Sequence, residues 1–284
     1  MYIKHFFDPD TFTFTYVVSD EKTSKCAIID PVLDYQPQSG KISTYSVEKI
    51  LDYIKHKNLQ VEWILETHVH ADHLTGAHYL KEKLETKVGI GENIKEVLKF
   101  GVPLFNTSDS TPLDGSQFDH LFKDGEIFTI GLLEARVMAT PGHTPACISY
   151  IIGDSIFVGD TIFMPCVGTA RADFPGGDAK TLYQSIQRIL SLPDETRIFT
   201  CHDYPSGIDK PSCESTVAQQ KADNIMIAQS ISEDTYIEKR KAKDKTLPVP
   251  RLLLPSIQVN MRAGNLGNPE SNQIQYIKIP LNQL

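Results

Sequence analysis

Thr67-His68-Val69-His70-Ala71-Asp72-His73 sets three imidazoles and a carboxylate in six consecutive positions, directly after the apolar run 61–66 (VEWILE). In extended backbone, residues two apart project to the same side, so His68 and His70 converge on one point. Asp72 and His73 then turn off the strand end toward a neighbouring one. Neutral imidazole and ionised carboxylate are the ligands that divalent zinc and iron take from proteins. A strand that ends in such a cluster describes a site built on the edge of a sheet.

Three later positions share that strand-end placement. His143 follows the extended run 134–140 in Thr140-Pro141-Gly142-His143-Thr144, Asp160 follows 155–158 in Val158-Gly159-Asp160-Thr161, and His202 follows 197–200 in Cys201-His202-Asp203. Any one of them alone reads as a turn residue. Together with the cluster they form an ordered set of seven.

Outward from these stretches the chain reads as α/β. Strand-like runs at 11–18, 25–29, 61–66 and 87–90 alternate with helical spacing at 47–54, where Ser46 is the expected N-cap, and at 76–84 and 94–100. The segment 106–115 (NTSDSTPLDG) is a loop, and 127–130, 134–140, 147–152 and 155–158 are extended. Helices are expected at 181–190 and 215–230. The charged run 233–245 reads as a solvated helix or a loop, and Pro248, Pro250 and Pro255 are expected to break the tail into extended pieces. One catalytic domain over 1–230, with an extension over 231–284 packed on it, fits this order best.

Composition narrows the function classes. The chain has 284 residues, 28 Lys and Arg against 36 Asp and Glu (net −8), 40% hydrophobic and 23% charged residues, which is ordinary for a globular protein. Its acidic balance argues against a general nucleic-acid binder. Five widely spaced cysteines without a C-x-x-C argue against a disulfide framework or structural zinc and point to a reducing cytoplasm. No signal peptide and no bilayer-spanning apolar run is read.

The ordered set resembles the metallo-β-lactamase superfamily, whose H-x-H-x-D-H signature would be His68, His70, Asp72 and His73, with His143, Asp160 and His202 as its later ligands. The resemblance implies a four-layer αββα sandwich with the metal site on one edge of the two sheets. THVHADHLTGA (67–77), TPGHTPACISY (140–150), VGDTIF (158–163) and Ala170-Arg171-Ala172-Asp173-Phe174 are similar to persulfide dioxygenases, glutathione-dependent relatives of glyoxalase II. That branch implies one iron, Fe(II), held by His68, His143 and Asp160, with His70, Asp72, His73 and His202 around it or holding a second metal. The longer loop between Asp160 and Arg171 and the tail Q-V-N-M-R-A-G (258–264) resemble a bacterial subgroup of β-lactamase-like hydrolases.

The reaction so implied oxidises glutathione persulfide with O2 to sulfite and glutathione. Zinc can replace iron in such a site but has no redox chemistry. Glutathione is anionic, so local positive charge is expected despite the net −8. Arg171 is the first candidate for substrate contact, followed by Tyr204, Lys221 and Thr144. Cys166 and Cys201 lie near the predicted site, and buried cysteines are usually small hydrophobes. The alternative reading is a glyoxalase II-like thioester hydrolase with one or two metal ions. A metal-binding module without activity is disfavoured because no ligand is missing. A homodimer is left open; nucleic-acid and membrane partners are not expected.

Overall fold

The structure, a computed structural model, describes residues 1–204 and 210–283. Its first half opens with β1 (Tyr2–Asp8), paired antiparallel along its length with β2 (Thr13–Asp20), and continues through β3 (Lys25–Ile29), β4 (Val32–Gln36), β5 (Lys41–Ser43), α1 (Tyr45–His56), β6 (Gln60–Leu65), β7 (Leu74–Thr75), α2 (Ala77–Leu84), β8 (Lys87–Gly91), α3 (Ile94–Phe105) and β9 (His120–Phe122). The second half runs through β10 (Ile127–Ile130), β11 (Leu133–Ala139), β12 (Ile148–Ile152), β13 (Ser155–Phe157), α4 (Ala179–Leu190), β14 (Arg197–Phe199), β15 (Glu214–Thr216), α5 (Val217–Asp223), α6 (Glu233–Asp244) and α7 (Leu253–Asn260).

Two six-stranded sheets result, ordered β1-β2-β3-β6-β8-β9 and β10-β11-β12-β13-β14-β15. Strand alternation sorts their side chains into layers. Phe14, Tyr16 and Val18 of β2 and Ala27 and Ile29 of β3 meet Val137, Tyr150, Ile152, Phe157 and Phe199 between the sheets. The intervening Val17, Cys26 and Ile28 face outward onto a layer that includes Val47 and Ile50 of α1, Leu80 of α2, Leu98 of α3 and Val259 of α7. Across the molecule, Ile156 and Ile198 pack under Leu182 and Ile186 of α4, Val217 of α5 and Tyr236 of α6. This is the expected αββα sandwich. No helix among the described residues is long and apolar enough to cross a membrane.

Several local expectations are corrected. Ser46 is not the cap of α1: Thr44 precedes the helix without a side-chain cap, and Ser46 gives its N–H and hydroxyl to Asp34 at 2.8 Å each. Helix α3 runs past Phe100 to Phe105, through Gly101, where a Cβ would lie 2.4 Å from Met261 Sδ. The helix expected over 215–230 is only α5, preceded by β15 and opened by a capping box between Thr216 and Gln219. α6 is a helix, but not one solvated all round, because Tyr236, Arg240 and Asp244 form a buried stripe at i, i+4, i+8. Pro255 falls in the first turn of α7, where its missing N–H has no helical partner to lose.

Candidate metal centre

The elements deliver the seven residues to one edge of the sandwich. Beyond β6 the chain leaves the sheet and carries His68, His70, Asp72 and His73 in a loop that ends at β7. His143 sits between β11 and β12, Asp160 after β13, and His202 after β14. His68, His70, His73, His143 and His202 are all at most 3% exposed, and Asp160 is 8% exposed. His68, His143 and Asp160 each offer one atom to a common point, the three atoms lying within 4.8 Å of one another, and so do Asp72, Asp160 and His202. Asp160 joins the groups: Oδ2 lies 3.6 Å from His143 Nε2 and 3.9 Å from His68 Nε2, while Oδ1 lies 3.2 Å from His202 Nε2.

Hydrogen bonding around the rings fixes which nitrogen faces inward. Thr67 Oγ1 donates to Asp30 Oδ2 at 2.8 Å, so it accepts the proton of His68 Nδ1 at 3.0 Å and leaves His68 Nε2 with a free lone pair. The carbonyl of Arg171 accepts from His143 Nδ1 at 2.8 Å, with the same result at Nε2. His202 Nδ1 lies 3.2 Å from the carbonyl of Phe12. His70 instead turns Nε2 toward Asp30 Oδ1, at 3.0 Å, and Glu66 Oε2, at 3.6 Å. Among the described residues, His68 Nε2, His70 Nδ1, His73 Nε2 and His202 Nε2 are buried without a hydrogen-bond partner, as is Asp160 Oδ1. Such orphaned acceptors are rare in a folded protein, and a divalent cation satisfies them. The donor set fits a metal ion.

Burial pushes His68 well below the ordinary imidazole value, and the neighbouring His70 and His143 add to that. Burial also lowers His143, with Asp160 opposing. Both rings are therefore neutral at pH 7, the form a metal requires. His202 moves the other way: burial alone would lower it, but Asp72 and Asp160 raise it well above its usual range. For His70, Asp30 reverses the effect of burial in the same manner.

A cleft of about 490 Å3 opens over the cluster, with Asp72, His143 and Asp160 at its floor and Phe163, Arg171, Phe174, Tyr204, Lys243 and Arg251 among its walls. Arg171 reaches the cleft but is committed elsewhere: its guanidinium holds Asp173 in a fork at 2.6 and 2.8 Å and donates to the Pro248 carbonyl at 2.8 Å. Tyr204 lines the cleft, its ring nearly parallel to His202. Thr144 lines an apolar side pocket of about 270 Å3 beside the cleft, and its hydroxyl sits 3.1 Å from Cys147 Sγ. Lys221 is not at the site: its ammonium is held by Asp194 at 2.6 Å, in a separate depression with Tyr183 and Gln187. Cys166 is exposed and outside the cleft walls, and Cys201 is buried 3.8 Å from Asp30 Oδ2.

Sequence reasoning missed Asp30, Glu66, Lys243, Arg251 and Asn260. Asp30 has a legible signal, since it follows β3 as Asp160 follows β13, but Asp30-Pro31 reads as a strand stop. Lys243 and Arg251 come from the charged and proline-rich tail, and neither forms an ion pair among the described residues; they donate to the carbonyls of Val167 and Asp10 at 3.3 and 3.2 Å.

Gly142 sets His143 in place. Its φ of +136° is one that L side chains rarely adopt, and a Cβ there would lie 2.3 Å from the Leu182 backbone of α4. Gly142→Ala is expected to displace α4 and lower stability by at least about 1–3 kcal/mol, read from a thermal melt.

Comparison with known proteins places these features. The family description "Metallo-beta-lactamase superfamily" matches residues 8–202. The chain is 51% identical over 284 residues to "Glyoxylase B2" of Dictyostelium discoideum, covering 99% of this chain and 97% of that protein. It is 51% identical over 283 residues to a "Beta-lactamase hydrolase-like protein" of Agrobacterium fabrum, matching all of this chain but only 65% of the relative's length. Human mitochondrial "Persulfide dioxygenase ETHE1" is 29% identical over 265 residues, covering 92% of this chain and 88% of that protein. Among solved structures, ETHE1 from Myxococcus xanthus superposes with a TM-score of 0.76 at 29% identity, covering 93% of this chain and 100% of that one.

Proposed function

This chain belongs to the metallo-beta-lactamase superfamily, and from that premise we propose that it is a persulfide dioxygenase at one iron ion, converting glutathione persulfide, O2 and one water to sulfite, glutathione and two protons. The observation that carries the reading is the trio His68, His143 and Asp160, of which His143 and Asp160 reach the floor of the cleft while His68 is buried beside them, with both imidazoles neutral and turned inward by Thr67 and Arg171. Two imidazoles and one carboxylate leave coordination positions open, as in non-haem iron oxygenases. Iron supplies the redox chemistry toward O2 that zinc lacks. The likeness to the human persulfide dioxygenase, which spans nearly the whole chain, supports the same reading.

The chain's own residues take the remaining tasks. Lys243 and Arg251 present positive charge to the carboxylates of glutathione at the cleft wall. Phe163, Phe174, Leu247, Pro248 and Pro250 line the cleft with apolar surface and limit the water at the reacting sulfur to what the single hydrolytic step consumes. Asp30, through His70, and the carbonyls of Arg171 and Phe12, through His143 and His202, hold the imidazoles in one orientation.

A second reading is a two-metal hydrolase of glutathione thioesters. It is favoured by Asp160, whose two oxygens face different groups of imidazoles, and by the orphaned nitrogens of His70, His73 and His202. Metal analysis joined to oxygen uptake separates the two. Iron-loaded protein with one ion per chain is expected to consume one O2 per glutathione persulfide and to release sulfite. Two ions per chain, thioester turnover and no oxygen uptake would establish the hydrolase instead. In the oxygen-uptake assay, Lys243→Ala and Arg251→Ala are each expected to raise KM about tenfold with kcat little changed, the loss of one charged contact. An unchanged KM in both would remove the anion contact.

A further inference from the structure

The tail stretch Gln258–Gly264 (QVNMRAG) has no part in the chemistry above, yet its asparagine reaches the centre of the site. Asn260, at the end of α7 and 4% exposed, donates from Nδ2 to the carbonyls of His70 at 2.9 Å and His73 at 2.8 Å. Its Oδ1 accepts from the Thr75 N–H at 2.8 Å. Both amide protons and the carbonyl are thus spent on the backbone of one loop. That loop carries four of the seven site residues and has no ladder of its own until β7. We propose that Asn260 is a positioning residue for the metal centre, setting the backbone from which His70 and His73 project.

The neighbouring residues fix Asn260 in register. Val259 and Met261 are fully buried in the layer outside the first sheet. The Met261 carbonyl accepts from Gln117 Nε2 at 2.6 Å. Gly264, at φ +90°, lets the following turn come against α2, where a Cβ would lie 2.9 Å from the His78 backbone nitrogen. A side chain locked at its base and hydrogen-bonded at every polar atom of its tip holds the loop rigidly. Rotation of a carbonyl at 70 or 73 carries the attached imidazole with it, so the clamp acts on ring placement rather than on metal contact. The inference rests on the metal-centre reading but not on the identity of the reaction.

Cobalt(II) titrated into metal-free protein, read from visible absorption, tests it without recourse to activity. Asn260→Ala is expected to weaken cobalt(II) binding about 10–100-fold, the usual effect of losing a partner that orients ligands, and to change the absorption bands. Asn260→Asp keeps the shape but replaces the two N–H donors with an acceptor facing two carbonyls, and is expected to do the same. It supplies the measurement should Asn260→Ala not fold. Gln258→Ala is the control. It removes the bonds from the same helix to the Leu254 and Lys278 carbonyls and to the Lys278 N–H, and touches nothing in the histidine loop. It is expected to lower the melting temperature while leaving cobalt(II) affinity and spectrum at wild-type values. Wild-type affinity and spectrum in either Asn260 variant would overturn the proposal. So would a Gln258→Ala protein whose metal binding declines in step with its stability. Wild-type cobalt(II) binding without oxygen uptake would count against the persulfide chemistry and leave this test intact.

Discussion

Asp160→Ala is expected to lose its metal on dialysis and to show no measurable turnover. Among the described residues, Asp160 is the one carboxylate that faces His68, His143 and His202 together, and it is almost wholly buried. Removing an outer-shell partner of a metal ligand typically costs 10–100-fold in affinity, and removing a ligand costs more than about 100-fold. Elemental analysis after dialysis is the measurement, and one retained equivalent of metal would show that the centre is held without this residue. Proton competition gives the pH dependence its sign. His68 and His143 lie below the usual imidazole range because they are buried, so acid has little to displace until the pH falls through their lowered values. Metal affinity of the intact protein should therefore persist at mildly acidic pH and fall only below the range where an exposed histidine titrates. In the metal-free protein, His202 has the opposite sign. Its raised value stabilises the fold fully below about pH 6.5, and that contribution disappears as the pH rises through the folded value.

Arg240→Ala should produce the largest loss of stability. Arg240 is 1% exposed and lies within 2.6–2.8 Å of Asp244 Oδ1 through two of its nitrogens, while Nη1 donates to the Thr169 carbonyl at 2.9 Å. Taking away one partner of such a pair leaves a buried, uncompensated carboxylate, which costs about 3–5 kcal/mol. In a chain of this size that corresponds to a fall in melting temperature on the order of 10 °C. The double replacement Arg240→Met with Asp244→Leu should recover part of the loss, because no lone charge stays behind, though the Thr169 carbonyl and the Ala172 N–H lose their partners. A double variant no more stable than the single one would mean that the pair itself, and not the stranded charge, carries the effect. The same pair holds the segment 169–172, whose Arg171 carbonyl orients His143, so metal affinity should decline alongside stability in the single variant.

The two-sheet core is legible in the sequence where its central strands are buried on both faces and rich in apolar, β-branched and aromatic residues, as in β2 and β3. β1 is not, since it lies at a sheet edge, carries Lys4 and His5, and is only half-buried. The helix over 233–245 is legible in the sequence, but its buried stripe is not, because Arg240 and Asp244 look like surface residues until each is seen to neutralise the other inside the helical layer. The seven-member site was legible because each residue sits at or just beyond the end of a recognisable strand. Asn260 lies 187 residues beyond His73 in the chain, and no local pattern announces a contact made across that distance. Lys221 shows the reverse error, since a cation near the site in the chain can be claimed by an acid elsewhere, here Asp194.

The order in which these groups appear along the chain has a further consequence. His68 through His202 all precede residue 203, whereas Asp244 and Asn260, which brace the two sides of their pocket, come 40 to 60 residues later. A nascent polypeptide emerging from the ribosome thus exposes every imidazole and carboxylate of the centre well before the struts that shape it exist. An ion that met the histidines before α6 and α7 had folded would find the pocket without these two braces.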